Sequence, residues 1–328
     1  MAMGEIRRLA VLTSGGDGPG MNPAIRAVVR AALEHGITPI GVHRGYQGLL
    51  DNDMEEMTAR SVGGIIQRGG TILGTARCPE FMTARGRMEA LHNLSKNAID
   101  ALVVIGGDGS MRGALELHRQ GFPVIGIPGS IDNDIYGTEM AIGVDTALNT
   151  LLNAIDMIKD TASSHRRAFL IEVMGRNCGY LALMGGIAGG AEMVLIPEVP
   201  FTLEEVLAGL QRAYIKGKTH CIIVVAEGAS HRAEAIKAFL DQHREETGFE
   251  TRVTILGHVQ RGGSPRAFDR ILASRLGVAA VEYLLAGQRG VMVGLSHGEA
   301  VCVPLEEVVS QGKPLDMRLY QLAQTLDK

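Results

Sequence analysis

In Val104-Ile-Gly-Gly-Asp-Gly-Ser110 an apolar run, Ala101–Ile105, ends in three glycines, one carboxylate and one hydroxyl. Glycines at the end of a buried strand let backbone N–H groups approach a polyphosphate without interference from a Cβ. Asp108 is a hard oxygen ligand suited to Mg²⁺ carried by phosphates. A helix-like segment follows, so an anion here would also meet a helix N-terminus. Alone, the segment reads equally well as a tight strand-to-helix turn. Other strands of this chain end in loops of the same kind.

The first is Thr13-Ser-Gly-Gly-Asp-Gly-Pro-Gly-Met-Asn22, again a strand running into glycines and then a helix. Its spacing is not the G-x-G-x-x-G of dinucleotide sites. A Walker A loop is absent too: Gly217-Lys218-Thr219 has Arg212 where the upstream glycine is required, and reads as a helix end with a solvated lysine. Another loop, Pro128-Gly-Ser-Ile-Asp-Asn-Asp134, places two carboxylates and a hydroxyl after the strand Val124–Ile127. Asp132 could take a proton from an attacking hydroxyl, and Asp134 could serve a metal or orientation. The plainer alternative is an Asx-turn.

Arginines gather at strand ends. Arg166 and Arg167 precede a strand, Arg176 follows one, Arg252 starts one and Arg261 follows one in His258-Val-Gln-Arg261. A guanidinium there suits bidentate phosphate capture, and five together suggest a second phosphate site. Glu227, closing the run Cys221–Ala226, is a natural partner for sugar hydroxyls. His258 reads either as a ligand or as a structural hydrogen bond.

The elements that must position these residues alternate. Apolar runs near Leu9–Thr13, Ile37–Val42, Ala101–Ile105, Val124–Ile127, Ala168–Val173, Met193–Ile196, Cys221–Ala226, Val253–Leu256, Val291–Leu295 and Ala300–Val303 read as strands. Short Val- and Ile-rich runs between helices suit parallel sheets buried on both faces. One helix is expected after Asn22 as N-cap, with Pro23 in its first turn and Gly36 beyond its end. Ile25, Val28, Val29, Ala32 and Leu33 form its core stripe, with Arg26 and Arg30 on another face. A second begins near Asp145 and runs out across residues 161–167. The glycine loops dominate the first ~140 residues and return near Gly257–Gly263. The chain therefore leaves one α/β domain and comes back to it.

Composition narrows the field. The 328 residues carry a net charge of −4, no Trp and only 4% aromatics, which argues against a nucleic-acid scaffold or a base-stacking platform. Cys78, Cys178, Cys221 and Cys302 are scattered, without a CxxC pair, which suits reduced thiols. No apolar stretch is expected to span a bilayer: Leu181 to Ile196 is broken by glycines and contains Glu192. Asn93-Leu-Ser95 matches a glycosylation acceptor but has no secretory context.

In order along nearly the whole chain stand LTSGGDGPGMN, RGGTILGTAR, IGGDGS, PGSIDND, DTASSHRR, EVMGRNCG, AEG and GHVQRGGSP. Together these resemble the ATP-dependent 6-phosphofructokinases of bacterial type. The resemblance implies two interleaved doubly wound α/β domains: a larger ATP-binding one near 1–142 plus 259–309, and a smaller sugar-phosphate-binding one near 143–258 plus 310–328. It implies phosphoryl transfer from ATP to fructose 6-phosphate, Mg²⁺ as cofactor, a cytoplasmic homotetramer, and no nucleic-acid or membrane partner. Gly16, Arg77, Cys78, Gly107, Asp108, Gly109 and Ser110 would hold ATP, with Asp108 on the metal. Asp132 would be the base, beside Ser130 and Ile131, and Arg77 and Arg176 would meet developing charge. Arg167, Arg252, His258 and Arg261, with Val259 and Gln260 between the last two, would grip the 6-phosphate. Met174, Gly175 and Glu227 would contact the sugar. Arg167 and Arg252 would come from a neighbouring subunit.

Departures from the family pattern are Ser130 in place of a threonine and Cys78 in place of a larger apolar residue. An effector pocket would draw on Arg26, Arg30, Lys159, Glu192, Lys216 and Lys218. It is thinned by Ala59 where an arginine is usual, and by Gly63 and Gly64. Two rivals stand. A pyrophosphate-dependent enzyme would carry Asp and Lys where this chain has Gly109 and Gly129. A non-catalytic regulatory paralogue is disfavoured by the intact Asp108, Asp132 and Arg176.

Overall fold

A computed structural model describes residues 6–326. In chain order its elements begin with β1 (Arg8–Ser14), α1 (Met21–Glu34), β2 (Thr38–Val42), α2 (Tyr46–Asp51), β3 (Met54–Glu56), α3 (Ala84–Lys96), β4 (Ala101–Gly106), α4 (Asp108–Arg119) and β5 (Val124–Pro128). Then come α5 (Val144–His165), β6 (Arg167–Val173), α6 (Tyr180–Ala188), β7 (Met193–Leu195), α7 (Leu203–Ile215), β8 (Cys221–Ala226), α8 (Ala233–Gln242), α9 (Arg244–Thr247) and β9 (Glu250–Ile255). The chain closes with α10 (Ala267–Leu285), β10 (Val291–Ser296), β11 (Glu299–Pro304), α11 (Leu305–Ser310) and α12 (Met317–Leu326). Two compact units result: Met1–Thr146 with Arg261–Lys313, and Ala147–Gln260 with Pro314–Lys328.

The sheet of the first unit runs β11-β10-β5-β4-β1-β2-β3. Its inner strands are parallel, while β3 and β11 pair antiparallel at the edges. Leu9, Val11, Val103 and Ile105 from the sheet share one core with Ile25 and Val28 of α1 and Leu276 and Ala280 of α10. Strand order reverses between β1 and β4, since β2 extends one flank and β5 the other. Ligands of open α/β sheets bind at such a reversal, off the carboxyl ends of the strands. Ser14 and Gly106 face each other across it, so the two glycine loops leave the sheet side by side.

The sheet of the second unit runs β7-β8-β6-β9, parallel throughout. Its residues alternate between two cores. Ala168, Leu170, Ile223 and Val225 join α7 and α8 on one face, and Phe169, Ile171, Val173, Ile222 and Val224 join Leu151, Ile155 and Ala182 on the other. This is the two-residue period of a strand covered on both faces.

Several expectations need correction. Helix α1 starts at Met21 with Gly20 as its cap, not at Asn22. The Asn22 carboxamide is used elsewhere: it donates to Arg68 O and Gly69 O, at 3.0 and 3.1 Å, and accepts from Ile72 N–H at 2.7 Å. Strand β9 begins at Glu250, three residues before the apolar run, so Arg252 is its third residue. Arg167 does not precede β6 but opens it. Lys218 is not a solvated lysine; it pairs with Glu192 Oε1 at 3.3 Å. Asn93 is buried and donates to Leu49 O and Leu50 O, which makes it a structural amide.

Candidate active site

In the first unit, α4 opens at Asp108 under Gly107, a cap with no side-chain hydrogen bond. Its first N–H groups are thereby left for an anion. The hydroxyl of Ser110 is buried and has no hydrogen-bond partner. A buried hydroxyl in that condition is costly unless a ligand oxygen meets it, and the donor set here fits a phosphate. Asp108 Oδ2 accepts from Arg112 Nε at 2.9 Å, one turn along the helix. A Cβ built at Gly109 would meet nothing within 4 Å, so the helix surface is open there. Beneath, the buried Tyr46 hydroxyl donates to Ser110 O at 2.6 Å and its ring stacks on Phe81 at 4.1 Å. Burial pushes that phenol far above its ordinary pKa, so it stays a donor.

The loop from residue 68 to 78 is strung to this frame. Besides the bonds to Asn22, Thr13 Oγ1 shares a hydrogen bond with Thr71 Oγ1 at 2.8 Å and donates to Gly74 O, and Thr75 Oγ1 donates to Gly15 O at 2.7 Å. These anchors carry Arg77, which is exposed, and Cys78, which is half-buried. Burial raises the Cys78 thiol, so at neutral pH it is a packing neighbour rather than a nucleophile.

The segment from Gly129 to Gly143 is a pinned loop, not a direct entry into a helix. Gly129 bridges to Ile142, Ser130 N–H donates to Ile142 O, and Ile142 N–H donates to Pro128 O. Asn133, at φ 53°, accepts from Ala141 N–H at 3.1 Å. Inside the loop Ser130 Oγ accepts from Asp132 N–H at 3.2 Å and donates to Asp134 Oδ1 at 3.0 Å. Asp134 therefore orients Ser130, while Ile131 is buried as the loop's apolar anchor.

Arg261 belongs to the same unit. Its Nη1 donates to Asp17 O at 3.3 Å, and a Cβ at Gly16 would lie 2.4 Å from that nitrogen. Gly16 is a glycine because a guanidinium lies on it. Sequence reading gave the two residues to different ligands and missed their contact.

In the second unit the predicted residues fall at opposite ends of one sheet. Met174, Gly175 and Arg176 follow β6, Glu227 follows β8, and His258 and Val259 follow β9, all at the carboxyl end. Glu227 N–H donates to Val173 O at 2.8 Å, and Gly228 N–H to Gly175 O at 3.2 Å. A Cβ at Gly228 would stand 1.8 Å from Arg176 O, so only glycine fits between the loops. Gln260 is buried, and its Oε1 accepts from Met174 N–H at 2.8 Å. Through that oxygen it holds the loop, while its Nε2 has no hydrogen-bond partner.

Arg167 and Arg252 lie at or near the amino ends of β6 and β9. Arg167 pairs in register with Glu250, and Arg252 follows Glu250 by two residues on the same face. Arg167 Nε donates to Glu250 Oε2 at 2.9 Å, and Arg252 Nη2 donates to Glu250 Oε1. Arg167's hydrogen bond, with the charges of Arg252 and Arg244, holds the Glu250 carboxyl below the usual carboxylate range. The first and last residues of β6, Arg167 and Val173, are about 20 Å apart at 3.3 Å per residue. One hexose phosphate cannot touch both ends of the same sheet.

Among the predicted effector residues, Glu192 is pinned by Ile222 N–H at 2.6 Å and by Lys218, and Lys159 Nζ lies near Gly190. Lys216 is exposed at the end of α7. On α1, Arg26 is half-buried and Arg30 exposed. Burial and the Arg30 charge lower the Arg26 pKa.

The chain matches the phosphofructokinase family profile over residues 8–284. It is 53% identical to the ATP-dependent 6-phosphofructokinase of Shouchella clausii (strain KSM-K16) over 321 residues, 98% of this chain and 99% of that one. Identity to the enzyme of the same name from Bacillus subtilis (strain 168) is 52%, with the same coverage. Among solved structures, Pichia pastoris phosphofructokinase in the T-state superposes with a TM-score of 0.87 at 38% identity, over 99% of this chain and 37% of that one. A pyrophosphate-dependent phosphofructokinase from Marinobacter aquaeolei shares the fold, with a TM-score of 0.84 at 24% identity over 95% of this chain and 86% of that one.

Proposed function

The chain belongs to the phosphofructokinase family, and from that premise we infer that it transfers the terminal phosphoryl of ATP to the 1-hydroxyl of fructose 6-phosphate. The products are fructose 1,6-bisphosphate and ADP, a step of glycolysis. One observation carries the reading: two glycine loops meet at the strand-order reversal of the first sheet, with Asp108 at the head of α4.

Gly16, Arg77, Cys78 and Gly107 to Ser110 hold the nucleotide, with Ser110's buried hydroxyl donating to a phosphate oxygen. Asp108 would hold Mg²⁺ carried in with the phosphates, and the ion would screen their charge. Asp132 receives the proton of the sugar 1-hydroxyl, and Ser130, oriented by Asp134, fixes the loop that presents it. Arg77 and Arg176 offset charge on the transferred group. Met174, Gly175 and Glu227 seat the sugar. His258 and Arg261, with Arg167 and Arg252 from another copy, grip its phosphate.

The separation along β6 supports a shared site. Arg167 and Arg252 serve a sugar seated on the carboxyl-end loops of another copy, and the working form is a homotetramer. Lys159, Glu192 and Lys218, with Lys216, Arg26 and Arg30, form an effector site for anions. The enzyme is cytoplasmic; among the described residues no helix is long and apolar enough to cross a membrane.

A donor comparison tests the activity. With fructose 6-phosphate and Mg²⁺, product formation is followed with ATP or with pyrophosphate. Turnover is expected with ATP. Gly109→Asp, whose Cβ meets nothing within 4 Å, places a carboxylate beside the phosphates and should cut ATP use about 10- to 100-fold. A preference for pyrophosphate in the unmodified protein would overturn the assignment.

A further inference from the structure

We propose that Glu250 sets the affinity for the sugar phosphate by competing with its phosphate group for Arg167 and Arg252. The inference rests on the reading that these two arginines grip that phosphate. Glu250 is no bystander of the ladder. Register puts it opposite Arg167, and the two-residue strand period puts it on the face of Arg252. Each of its carboxylate oxygens takes one guanidinium N–H, Nε from Arg167 and Nη2 from Arg252. A carboxylate and a phosphate are alternative partners for the same fork. While Glu250 keeps those bonds, a phosphate dianion finds two cations already sharing one negative charge, and it approaches a carboxylate of like sign. The side chains of Glu250, Arg167 and Arg252 are 36%, 25% and 47% exposed, so the pairs are open to an incoming anion rather than sealed.

The carboxylate also keeps the two forks side by side when no sugar phosphate is bound. The competing part is separable from this tethering part. Glutamine retains the carbonyl oxygen as a hydrogen-bond acceptor and loses the charge. Alanine loses both.

The test compares Glu250→Gln, Glu250→Ala and the unmodified enzyme. Fructose 6-phosphate saturation is measured at saturating ATP and Mg²⁺, and inorganic phosphate binding is measured by calorimetry on the same tetrameric preparations. Competition predicts that Glu250→Gln lowers KM about three- to tenfold, the sum of two exposed ion pairs, with the change in KM exceeding any change in kcat. Inorganic phosphate should bind more tightly by a similar factor, and the gap should narrow as salt is raised. A Glu250→Gln enzyme whose KM and phosphate affinity are unchanged, or weakened, overturns the proposal and leaves Glu250 as a tether. Glu250→Ala losing affinity does not count against it, because alanine removes the tether as well. Arg167→Ser serves as the control for the underlying reading. If it fails to raise KM, Arg167 is not a substrate grip and the proposal falls with that reading; if it raises KM while Glu250→Gln leaves KM and phosphate affinity unchanged, the reading stands and the competition alone is overturned.

Discussion

Replacing Gly16 by alanine adds one carbon and moves one guanidinium. The new Cβ would stand 2.4 Å from Arg261 Nη1 and 2.9 Å from its Cζ, where 3.4 Å is the onset of ordinary contact. The guanidinium must therefore retreat by about 1 Å, breaking its 3.3 Å bond to Asp17 O. The backbone at Gly16 is not in the left-handed region, so alanine is tolerated and stability should change by less than about 1 kcal/mol. A positioning error of about 1 Å at a reacting site can cost 10²-fold. Gly16→Ala should lower kcat/KM about 30- to 100-fold, equivalent to about 2–2.7 kcal/mol of transition-state stabilisation. The assay is the coupled rate with ATP and fructose 6-phosphate, beside a melting curve. The double variant with Arg261→Ala isolates the cause. If Gly16 acts by seating Arg261, adding Gly16→Ala to Arg261→Ala should cost little more. An equal further loss in that background would refute the reasoning, and so would a folded Gly16→Ala enzyme of normal efficiency.

Two other outcomes are expected. Asp132→Asn should lower kcat at least ~10²-fold, yet refolding it with inactive Arg167→Ser subunits should restore part of the activity, because some hybrids hold one intact site; recovery no greater than in separately refolded controls, with hybrids confirmed, would count against sharing. Asp269, fully buried, accepts from Gly143 N–H, Thr146 N–H and Thr146 Oγ1 at 2.8, 2.8 and 2.6 Å; asparagine misdirects part of this set and should cost about 2–4 kcal/mol near pH 5. Burial, outweighing those three bonds, raises the Asp269 pKa. The folded chain then holds that proton more tightly than the unfolded chain. Its stabilising contribution is full below the unfolded value of about 4 and is lost as pH rises through the folded pKa. The deficit of Asp269→Asn in denaturation experiments should therefore shrink towards pH 7, and a deficit independent of pH would show that Asp269 does not titrate in this window.

The inner strands were legible because their Val- and Ile-rich runs are buried on both faces, and the glycine loops because a strand that stops in Gly-Gly-Asp has few other uses. Two edge strands, β3 and β9, were harder, while β7 and β11 were legible as apolar runs. β3, only Met54–Glu56, has two acidic residues and no apolar run. The start of β9 was hidden by Glu250-Thr-Arg252, although the alternation that puts Glu250 and Arg252 on one face was there to be read. Asn22 misled because a short polar side chain before a proline looks like a cap, and nothing local reveals a loop nearly fifty residues away as its partner. Gln260 and Asp269 are of the same kind. Each is polar and fully buried, and each spends its hydrogen bonds on groups distant in sequence, so only the fold gives it a role.

The seven-residue strand β6 opens with Arg167 and ends one residue before Met174. If each end serves a different bound sugar, the strand is the shortest covalent link between two occupied sites. Parallel partners clamp it on both sides, β8 and β9. An extended strand so paired has little length to give. In that arrangement a sugar drawing on Arg167 would pull on the strand that carries the loop beneath a second sugar. Communication between sites needs no separate relay in such a design. Its cost is evolutionary: lengthening or shortening β6 by a residue would shift two sites at once, in two different subunits, and no single compensating change could repair both.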